Sequence, residues 1–216
     1  MWWEQKEFDA MTKTASEAHQ LKKAPDVNGV LPVFHERWSP RSFADRAVSR
    51  ETLATVFEAA RWAASSSNEQ PWRFLVGTRG SETHEKIFAS LVEGNQRWAR
   101  TAPVLILGVA LSRFSRYGTE NRHALYDLGA AASYMTLQAA ALGVATHQMA
   151  GFDPEKARAL LGIPADCVIG AVIALGYQDE PAKLGDEGLI KQETTPRQRK
   201  PLREFVLESW GKGMEL

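Results

Sequence analysis

The chain has 216 residues, and its 26 basic side chains are balanced by 26 acidic ones. A general nucleic-acid-binding protein needs a basic excess to neutralise phosphates, so the balanced charge argues against that class. With 44% hydrophobic and 24% charged residues, the composition is that of a globular protein long enough to bury a substantial core.

Residues 1–30 are polar and mixed, and they lack the basic and then apolar segments that begin a secreted protein. We interpret them as an N-terminal extension with one short helix. No later stretch is rich enough in Gly, Ser or Pro to be a linker, so residues 31–216 are predicted to form one domain. We expect the protein to be cytoplasmic.

The spacing of apolar residues predicts the regular elements that follow. Ser49 and Asp153 are candidate N-caps, and Gly143 is a candidate helix stop. The polar, basic stretch 191–200 has no such pattern, and residues 202–207 suit a last helix or an edge strand. Helices are predicted at 49–64, 81–92, 124–142 and 154–161, and strands at 72–77, 103–110 and 168–176.

The longest uncharged stretch runs from Leu128 to Met149. Its length would suffice for a membrane span, but it is mostly Ala, Gly, Ser, Thr and Gln, so we predict a tightly packed helix and no membrane association. Small side chains let another backbone approach closely. The helix is therefore either the centre of a monomer core or part of a subunit interface, and the sequence leaves both open.

The predicted helices outnumber the strands, and they show no regular βαβ alternation. The fold class is therefore α+β, with a small central sheet wrapped by helices. The one cysteine, Cys167, lies in an apolar run. A single cysteine cannot form an internal disulfide, and nothing nearby suggests a metal site. We interpret it as a buried structural thiol.

The stretch Ser65–Trp72 reads S-S-S-N-E-Q-P-W and lies between a predicted helix and a predicted strand. We call it the octet. Its hydroxyl and amide groups suit a polar, uncharged ligand edge that needs donors and acceptors. The alternative is a solvated turn, since Ser and Asn also favour turns for backbone reasons.

Two basic segments have arginines at alternate positions. In R-W-S-P-R-S-F at 37–43, the side chains of Arg37, Ser39 and Arg41 would share one side of an extended chain, and Pro40 keeps Ser39 extended. Such a set suits a phosphate. Arg197 and Arg199 alternate in the same way. Solvated charged turns are the alternative for both segments.

A third segment, Q-M-A-G-F-D at 148–153, contains Gly151, which permits close backbone approach to a ligand or an unusual φ angle. The alternative is a plain turn between helices. The chain has no G-x-G-x-x-G, Walker A, H-E-x-x-H, C-x-x-C or G-x-S-x-G motif. If the protein is an enzyme, its reactive centre is therefore predicted to be a cofactor.

In order and spacing, these segments resemble the nitroreductase family of FMN-dependent oxidoreductases that use NAD(P)H. The resemblance covers residues 31–207. It implies a mostly antiparallel sheet, an intertwined homodimer with FMN sites at the interface, and ping-pong hydride transfer through flavin N5 to nitroaromatics, quinones or similar acceptors. No side chain is implied as the reactive centre.

The resemblance also implies the roles of individual residues. Arg37, Ser39, Arg197 and Arg199 would bind the FMN phosphate, and Arg41 would lie near the N1/C2-carbonyl edge of the flavin and tune it. The octet would reach the flavin of the other subunit, and Ala150 and Gly151 would offer backbone contacts near N5 and O4. The full implied cofactor-binding set is Arg37, Trp38, Ser39, Arg41, Ser65, Ser66, Asn68, Gln70, Met149, Ala150, Gly151, Arg197 and Arg199.

The chain departs from the family pattern at three positions. Many members have an acidic residue at the position of Ala150, a proline at that of Ala64, and a small or basic residue at that of Trp38. Substrate preference and nicotinamide pairing therefore stay open. The aromatic residues Trp98, Phe114 and Tyr117 either line a substrate face or pack in the core, and core packing is favoured for any one of them.

Two other hypotheses stay open. One is a specialised flavoenzyme of the same fold, such as a dehalogenase, a dehydrogenase or a flavin-degrading enzyme. The other is a non-enzymatic protein whose arginines hold some other anion.

Overall fold

The structure is a computed structural model, and it describes residues 12–216. Its centre is a four-stranded sheet in the order β1-β2-β4-β3, in which every neighbouring pair is antiparallel. The predicted α+β class with a mostly antiparallel sheet is confirmed. The strands are β1 Trp72–Thr78, β2 Val104–Leu111, β3 Ala145–Met149 and β4 Cys167–Gly176.

Helices surround this sheet, and a small two-stranded hairpin ends the chain. Within residues 12–216 the α-helices are α1 Ala15–Lys22, α2 Pro32–Glu36, α3 Arg50–Arg61, α4 Glu82–Ser90, α5 Glu93–Ala99, α6 Ala124–Ala141, α7 Pro154–Leu161 and α8 Glu187–Thr194. Short 3-10 helices cover Ser66–Asn68, Pro181–Leu184 and Leu202–Glu204, and the hairpin is β5 Leu207–Ser209 with β6 Lys212–Gly213.

The predicted N-caps are confirmed. The Ser49 hydroxyl accepts from the Thr52 backbone N–H at 3.1 Å and starts α3. The Asp153 carboxylate accepts from the Lys156 N–H at 2.9 Å and starts α7, with Pro154 as its first helical residue. These bonds satisfy N–H groups that have no partner within the helix.

Alternate residues of the strands point into two separate cores. Leu105 and Leu107 of β2 face α4, α5 and α7, where Trp98 is 2% exposed. Val104 and Ile106 face the opposite way, against α3 and α6. Core packing of Trp98 is therefore confirmed, and the free thiol of Cys167 is buried as predicted.

The long helix α6 is buried on one face only. Ala131, Met135 and Ala139 pack against the sheet, whereas Tyr126 is 79% exposed and Tyr134 is 47% exposed on the other face. In the part of the chain that the structure describes, no helix combines the length and apolar character needed to cross a membrane.

Several elements were not predicted from the sequence, among them α2, β3, α5 and α8. Strand β3 reads A-T-H-Q-M, which has no apolar run, and it lies at a sheet edge. Helices α5 and α8 are short, and each has only two buried residues, so neither shows a clear helical stripe. The short helix predicted within residues 1–30 is present as α1.

Candidate functional site

The fold brings the two basic segments together. The Arg197 guanidinium donates from Nη1 to the Arg37 carbonyl oxygen at 2.6 Å and from Nη2 to the His35 carbonyl oxygen. Helix α2 ends at Glu36 and α8 ends at Thr194, so each segment leaves a helix just before its arginines. Residues 160 positions apart thus form one surface.

We call Arg37, Arg197 and Arg199 the arginine cluster. Burial lowers the pKa of the Arg37 guanidinium, and the charge of Arg199 lowers it further. Burial likewise lowers the pKa of Arg197, with added repulsion from Arg37 and Arg199. Within residues 12–216, no carboxylate lies within ion-pair distance of the three, and Arg197 Nε is buried without a hydrogen-bond partner. Unpaired, mutually repelling cations with a free donor suit an anion.

Ser39 and Pro40 are held next to this cluster. The Ser39 hydroxyl accepts from Arg37 Nη1 at 3.3 Å. On β3, His147 Nδ1 donates to the Pro40 carbonyl oxygen at 3.0 Å, and its ring lies 4.6 Å from the Trp98 ring. Burial, aided by the charge of Arg41, lowers the pKa of His147 to about 4. A neutral imidazole therefore fixes this segment, a role that the sequence did not reveal.

Arg41 has a partner that the sequence did not predict. The Glu193 carboxylate accepts from the Arg41 backbone N–H at 3.0 Å and from Arg41 Nη1 at 3.4 Å. Glu193 is 1% exposed, whereas the Arg41 side chain is 26% exposed. Burial raises the pKa of Glu193, and the Arg41 N–H groups oppose that rise. Arg41 is thus anchored at its base and still reaches the surface.

The octet adopts an unusual backbone. Ser66–Asn68 form one 3-10 turn, and Ser67, Asn68 and Gln70 have φ angles of 53°, 54° and 52°. Residues other than glycine occupy this left-handed region at a cost of about 1 kcal/mol or more each, and such residues cluster at functional sites. The solvated-turn alternative does not by itself explain three of them.

Contacts from other segments hold the octet in this shape. The Ser66 N–H donates to the buried Asp127 carboxylate of α6 at 3.1 Å. The Glu69 carboxylate accepts from the backbone N–H of Ser115 at 2.9 Å and from its hydroxyl at 3.2 Å. Asn68 and Gln70 are exposed. Their amide groups, where they are not bonded within the octet, are open to a ligand.

Residues 149–151 begin with a core residue, the last of β3, and continue with one exposed and one half-buried residue. The Met149 side chain is 3% exposed and packs in the core, whereas Ala150 is exposed. The Gly151 carbonyl oxygen accepts from Asn95 Nδ2 at 2.9 Å and from the Val92 N–H at 3.1 Å. A Cβ atom on Gly151 would lie 2.6 Å from Asn95 Nδ2. Close approach to α5 therefore accounts for a glycine at position 151. An unusual φ angle does not, because the φ angle of Gly151 is not left-handed.

Trp38 is buried beside Arg37, and both residues line a cavity of about 260 Å³. Trp38 is 7% exposed, and its Nε1 donates to His19 Nδ1 of α1 at 3.2 Å. Among residues 12–216, no hydrogen bond or ion pair joins the octet to the arginine cluster. One chain therefore presents a basic half, which is the arginine cluster with Ser39 and Arg41, and a neutral half, which is the octet.

A cavity of about 720 Å³ lies elsewhere, between Phe43, Arg79, Trp98 and Lys183. Two of its cations are already paired, Arg79 with Asp45 at 2.6 Å and Lys183 with Asp179 at 2.8 Å. Its aromatic residues are almost fully buried. Of the two other arginines that line it, Arg97 pairs with Glu93 at 3.1 Å, and only Arg100 has no ion-pair partner within residues 12–216. This cavity therefore holds one free guanidinium, whereas the arginine cluster brings three together.

Comparisons with known proteins agree with these features. The sequence model of the nitroreductase family matches residues 35–96 and 83–177. A protein of Archaeoglobus fulgidus, provisionally named an NADH dehydrogenase/NAD(P)H nitroreductase, is 30% identical over 151 residues, or 68% of this chain and 84% of its own.

Two solved structures share the fold closely. A crystal structure described as an oxidoreductase containing FMN has a TM-score of 0.81 at 31% identity, and the match covers 88% of this chain and 97% of the other. A protein of Desulfovibrio desulfuricans, solved in complex with FMN, has a TM-score of 0.66 at 29% identity, with coverages of 85% and 98%.

Proposed function

The chain belongs to the nitroreductase family and is an oxidoreductase, and from this premise we propose that it binds FMN and uses NAD(P)H as its electron donor. The observation that carries the proposal is the arginine cluster, whose charges have no carboxylate partner within residues 12–216. When bound, FMN supplies hydride acceptance and donation at N5, in a ping-pong cycle that ends on an electron-poor acceptor such as a nitroaromatic or quinone.

The residues present fit the phosphate of FMN. Within residues 12–216, Arg197 Nε is a buried donor without a partner, while its two Nη groups are occupied by backbone carbonyls. In the same part of the chain, Arg199 donates only to its neighbour Gln198, at 2.7 Å, and the Ser39 hydroxyl can donate as well as accept. These groups would hold the dianionic phosphate, which in turn would relieve their mutual repulsion.

Arg41 would act on the ring and not on the phosphate. Its guanidinium is partly exposed and is fixed by a buried carboxylate on one side. A fixed cation near N1 stabilises negative charge on the reduced ring, which raises the reduction potential. Ala150 and Gly151 would contribute backbone groups only, because neither side chain can titrate.

The neutral half would come from a second copy of the chain. Within residues 12–216 no hydrogen bond or ion pair joins the octet to the arginine cluster, and α6 exposes Tyr126 and Tyr134 on the face turned away from the sheet. Near the C-terminus, Phe205 is 62% exposed and Trp210 is 98% exposed. Apolar surface of this kind is typical of a subunit interface. We therefore propose a homodimer in which Ser65, Ser66, Asn68 and Gln70 reach the partner's flavin.

The test begins with the purified protein, its absorbance and its molecular mass. A yellow dimer with bands at roughly 370 and 450 nm, bleached by NADH or NADPH without oxygen and reoxidised by a nitroaromatic or quinone, is the expected result. A colourless protein that does not take up FMN would overturn the proposal. If only one unusual acceptor reoxidises the bleached enzyme, the protein is a specialised flavoenzyme of the same fold.

The role of Arg41 is tested by comparing Arg41→Ala with Arg41→Lys. We expect Arg41→Ala to lower the flavin potential and to slow hydride uptake more than it weakens FMN binding, and Arg41→Lys to recover part of both. If Arg41→Ala loses FMN while the rate per bound flavin stays normal, Arg41 does not act on the ring.

A further inference from the structure

Helix α1 connects the two arginine segments without belonging to either. Lys22, its last residue, is 9% exposed. The Lys22 ammonium donates to the Gln192 carbonyl oxygen at 2.5 Å and lies 5.3 Å from the centre of the Trp38 ring. One buried side chain therefore touches residues that precede Arg197 and follow Arg37.

The contact with Gln192 lies at the C-terminal end of α8. In this last turn the carbonyl groups accept no hydrogen bond from within the helix, and the helix dipole favours a cation. The chain leaves α8 at Thr194 and reaches Arg197 three residues later. A fixed last turn therefore fixes the direction in which Arg197 and Arg199 leave the helix.

The contact with Trp38 positions the other segment. The face of the indole meets Lys22, and its Nε1 donates to His19, one turn earlier in α1. Trp38 stands between Arg37 and Ser39 in the chain, so holding the indole also holds the backbone of both neighbours. A cation over the face of an indole is attracted to the negative charge of the ring face.

The helix itself is well secured. Its N-cap Thr14 forms a capping box with Glu17, and Gln178, beyond β4, donates from Nε2 to the Ala15 carbonyl oxygen at 2.9 Å. The charges of Arg41, Arg197 and Glu193 all bear on the pKa of Lys22, which burial lowers first of all. Lys22 thus lies within the electrostatic reach of Arg41 and Arg197.

We propose that α1 is a brace for the phosphate site and that Lys22 is its positioning residue, which holds the segments of Arg37 and Arg197 at the spacing that a phosphate group requires. This inference rests on the proposed FMN function. It assigns a role in cofactor retention to a helix that precedes both arginine segments.

The test compares two ligands, FMN and riboflavin, which differ only in the phosphate. Lys22→Met keeps the length of the stem but removes the charge. We expect it to weaken FMN binding about tenfold and riboflavin binding less than twofold, so the preference for FMN falls. Lys22→Arg should restore the preference. The matched control is Lys23→Met, because Lys23 is the next residue and its ammonium pairs with Glu36 at the surface, at 3.4 Å.

A second variant, His19→Phe, removes the other contact with Trp38 and should lower the preference in the same direction by a smaller factor. The brace is refuted if Lys22→Met weakens the binding of FMN and of riboflavin equally, which would indicate general loss of structure. It is also refuted if Lys22→Met lowers the preference for FMN no more than Lys23→Met does. If the wild-type protein shows no preference for FMN over riboflavin, the proposed function itself fails, and the brace fails with it.

Discussion

In the arginine cluster guanidinium groups donate to backbone carbonyls, whereas the octet is held through carboxylates: Asp127 accepts from the Ser66 N–H, and Glu69 of the octet accepts from Ser115. Arg197 ties down the segment that contains Arg37, while Asp127 and Glu69 tie down the octet. The first arrangement leaves positive charge without a partner, and the second leaves neutral amides and hydroxyls. Each half is therefore prepared for a different part of one ligand, its anionic end or its polar, uncharged edge.

The two halves also differ in where strain is found. The arginine cluster stores repulsion between charges, which a bound anion relieves. The octet stores backbone strain at three left-handed residues, which persists only because surrounding contacts hold it. Changes in the first half should therefore act on the phosphate, and changes in the second on the whole flavin.

The largest effect on ligand binding is expected from Arg197→Ala. This change removes the free Nε donor together with the ties to Arg37 and His35, so the Kd for FMN should rise about 100-fold, equivalent to about 2.7 kcal/mol. Riboflavin binding should change little. Titration with both flavins checks this. Arg199→Ala is the control, and its affinity for FMN should fall about tenfold. Equal losses for the two flavins would remove the distinction between the halves.

The next effect is a pH dependence that belongs to the basic half. Because the pKa of His147 falls from 6.5 to about 4 on folding, the unfolded chain takes up a proton first. Stability from this group is therefore complete above pH 6.5 and is lost as the pH falls towards 4, by about 3 kcal/mol at most.

Denaturant unfolding between pH 4 and 7.5 measures this loss. His147→Asn retains an N–H donor for the Pro40 carbonyl but cannot titrate, so its stability should decline less steeply than that of the wild type. Glu193, whose pKa is raised, works in the opposite direction, but it is present in both proteins and cancels in their difference. Parallel curves would show that His147 is not responsible.

A smaller effect is expected from Asp127→Asn in the neutral half. The carboxylate that accepts from the Ser66 N–H becomes a weaker acceptor, which should cost about 1 kcal/mol of stability. Binding of FMN and of riboflavin should weaken by the same factor, about threefold to tenfold, because the octet does not meet the phosphate. Selective loss of FMN would place the octet at the phosphate and contradict the comparison.

The smallest effect is expected from Ser67→Gly. Glycine adopts a φ angle of 53° without strain, so the free energy of unfolding should rise by about 0.5–1 kcal/mol. Thermal unfolding would show this beside Ser65→Gly, where φ is −146° and the Ser65 hydroxyl accepts from the Gln70 N–H. That control should be destabilised. If both variants are less stable than the wild type, the octet is not strained at Ser67.

The sequence predicted the parts of this molecule that depend on local pattern. Apolar runs identified β1, β2 and β4, and capping residues identified the starts of α3 and α7. Alternating arginines indicated the basic half, because residues at alternate positions share one side of an extended chain.

What the sequence did not predict depends on contacts between distant residues. Glu193 stands in a polar stretch that is typical of a solvated surface, and only the packing of α8 buries it against Arg41. His147 has no ligand spacing, and its role follows from the pairing of β3 at the sheet edge. Strand β3 itself has too few apolar residues to be distinguished from a turn.

The carbonyl contacts of Arg197 have a kinetic consequence. A long, flexible side chain normally has to be ordered when its ligand arrives, at a cost of about 0.5–1.5 kcal/mol. Arg197 is already immobilised by two backbone oxygens in the free chain. Encounter with an anion therefore requires little rearrangement there, and differences in affinity among variants that retain these contacts should be found in the dissociation rate.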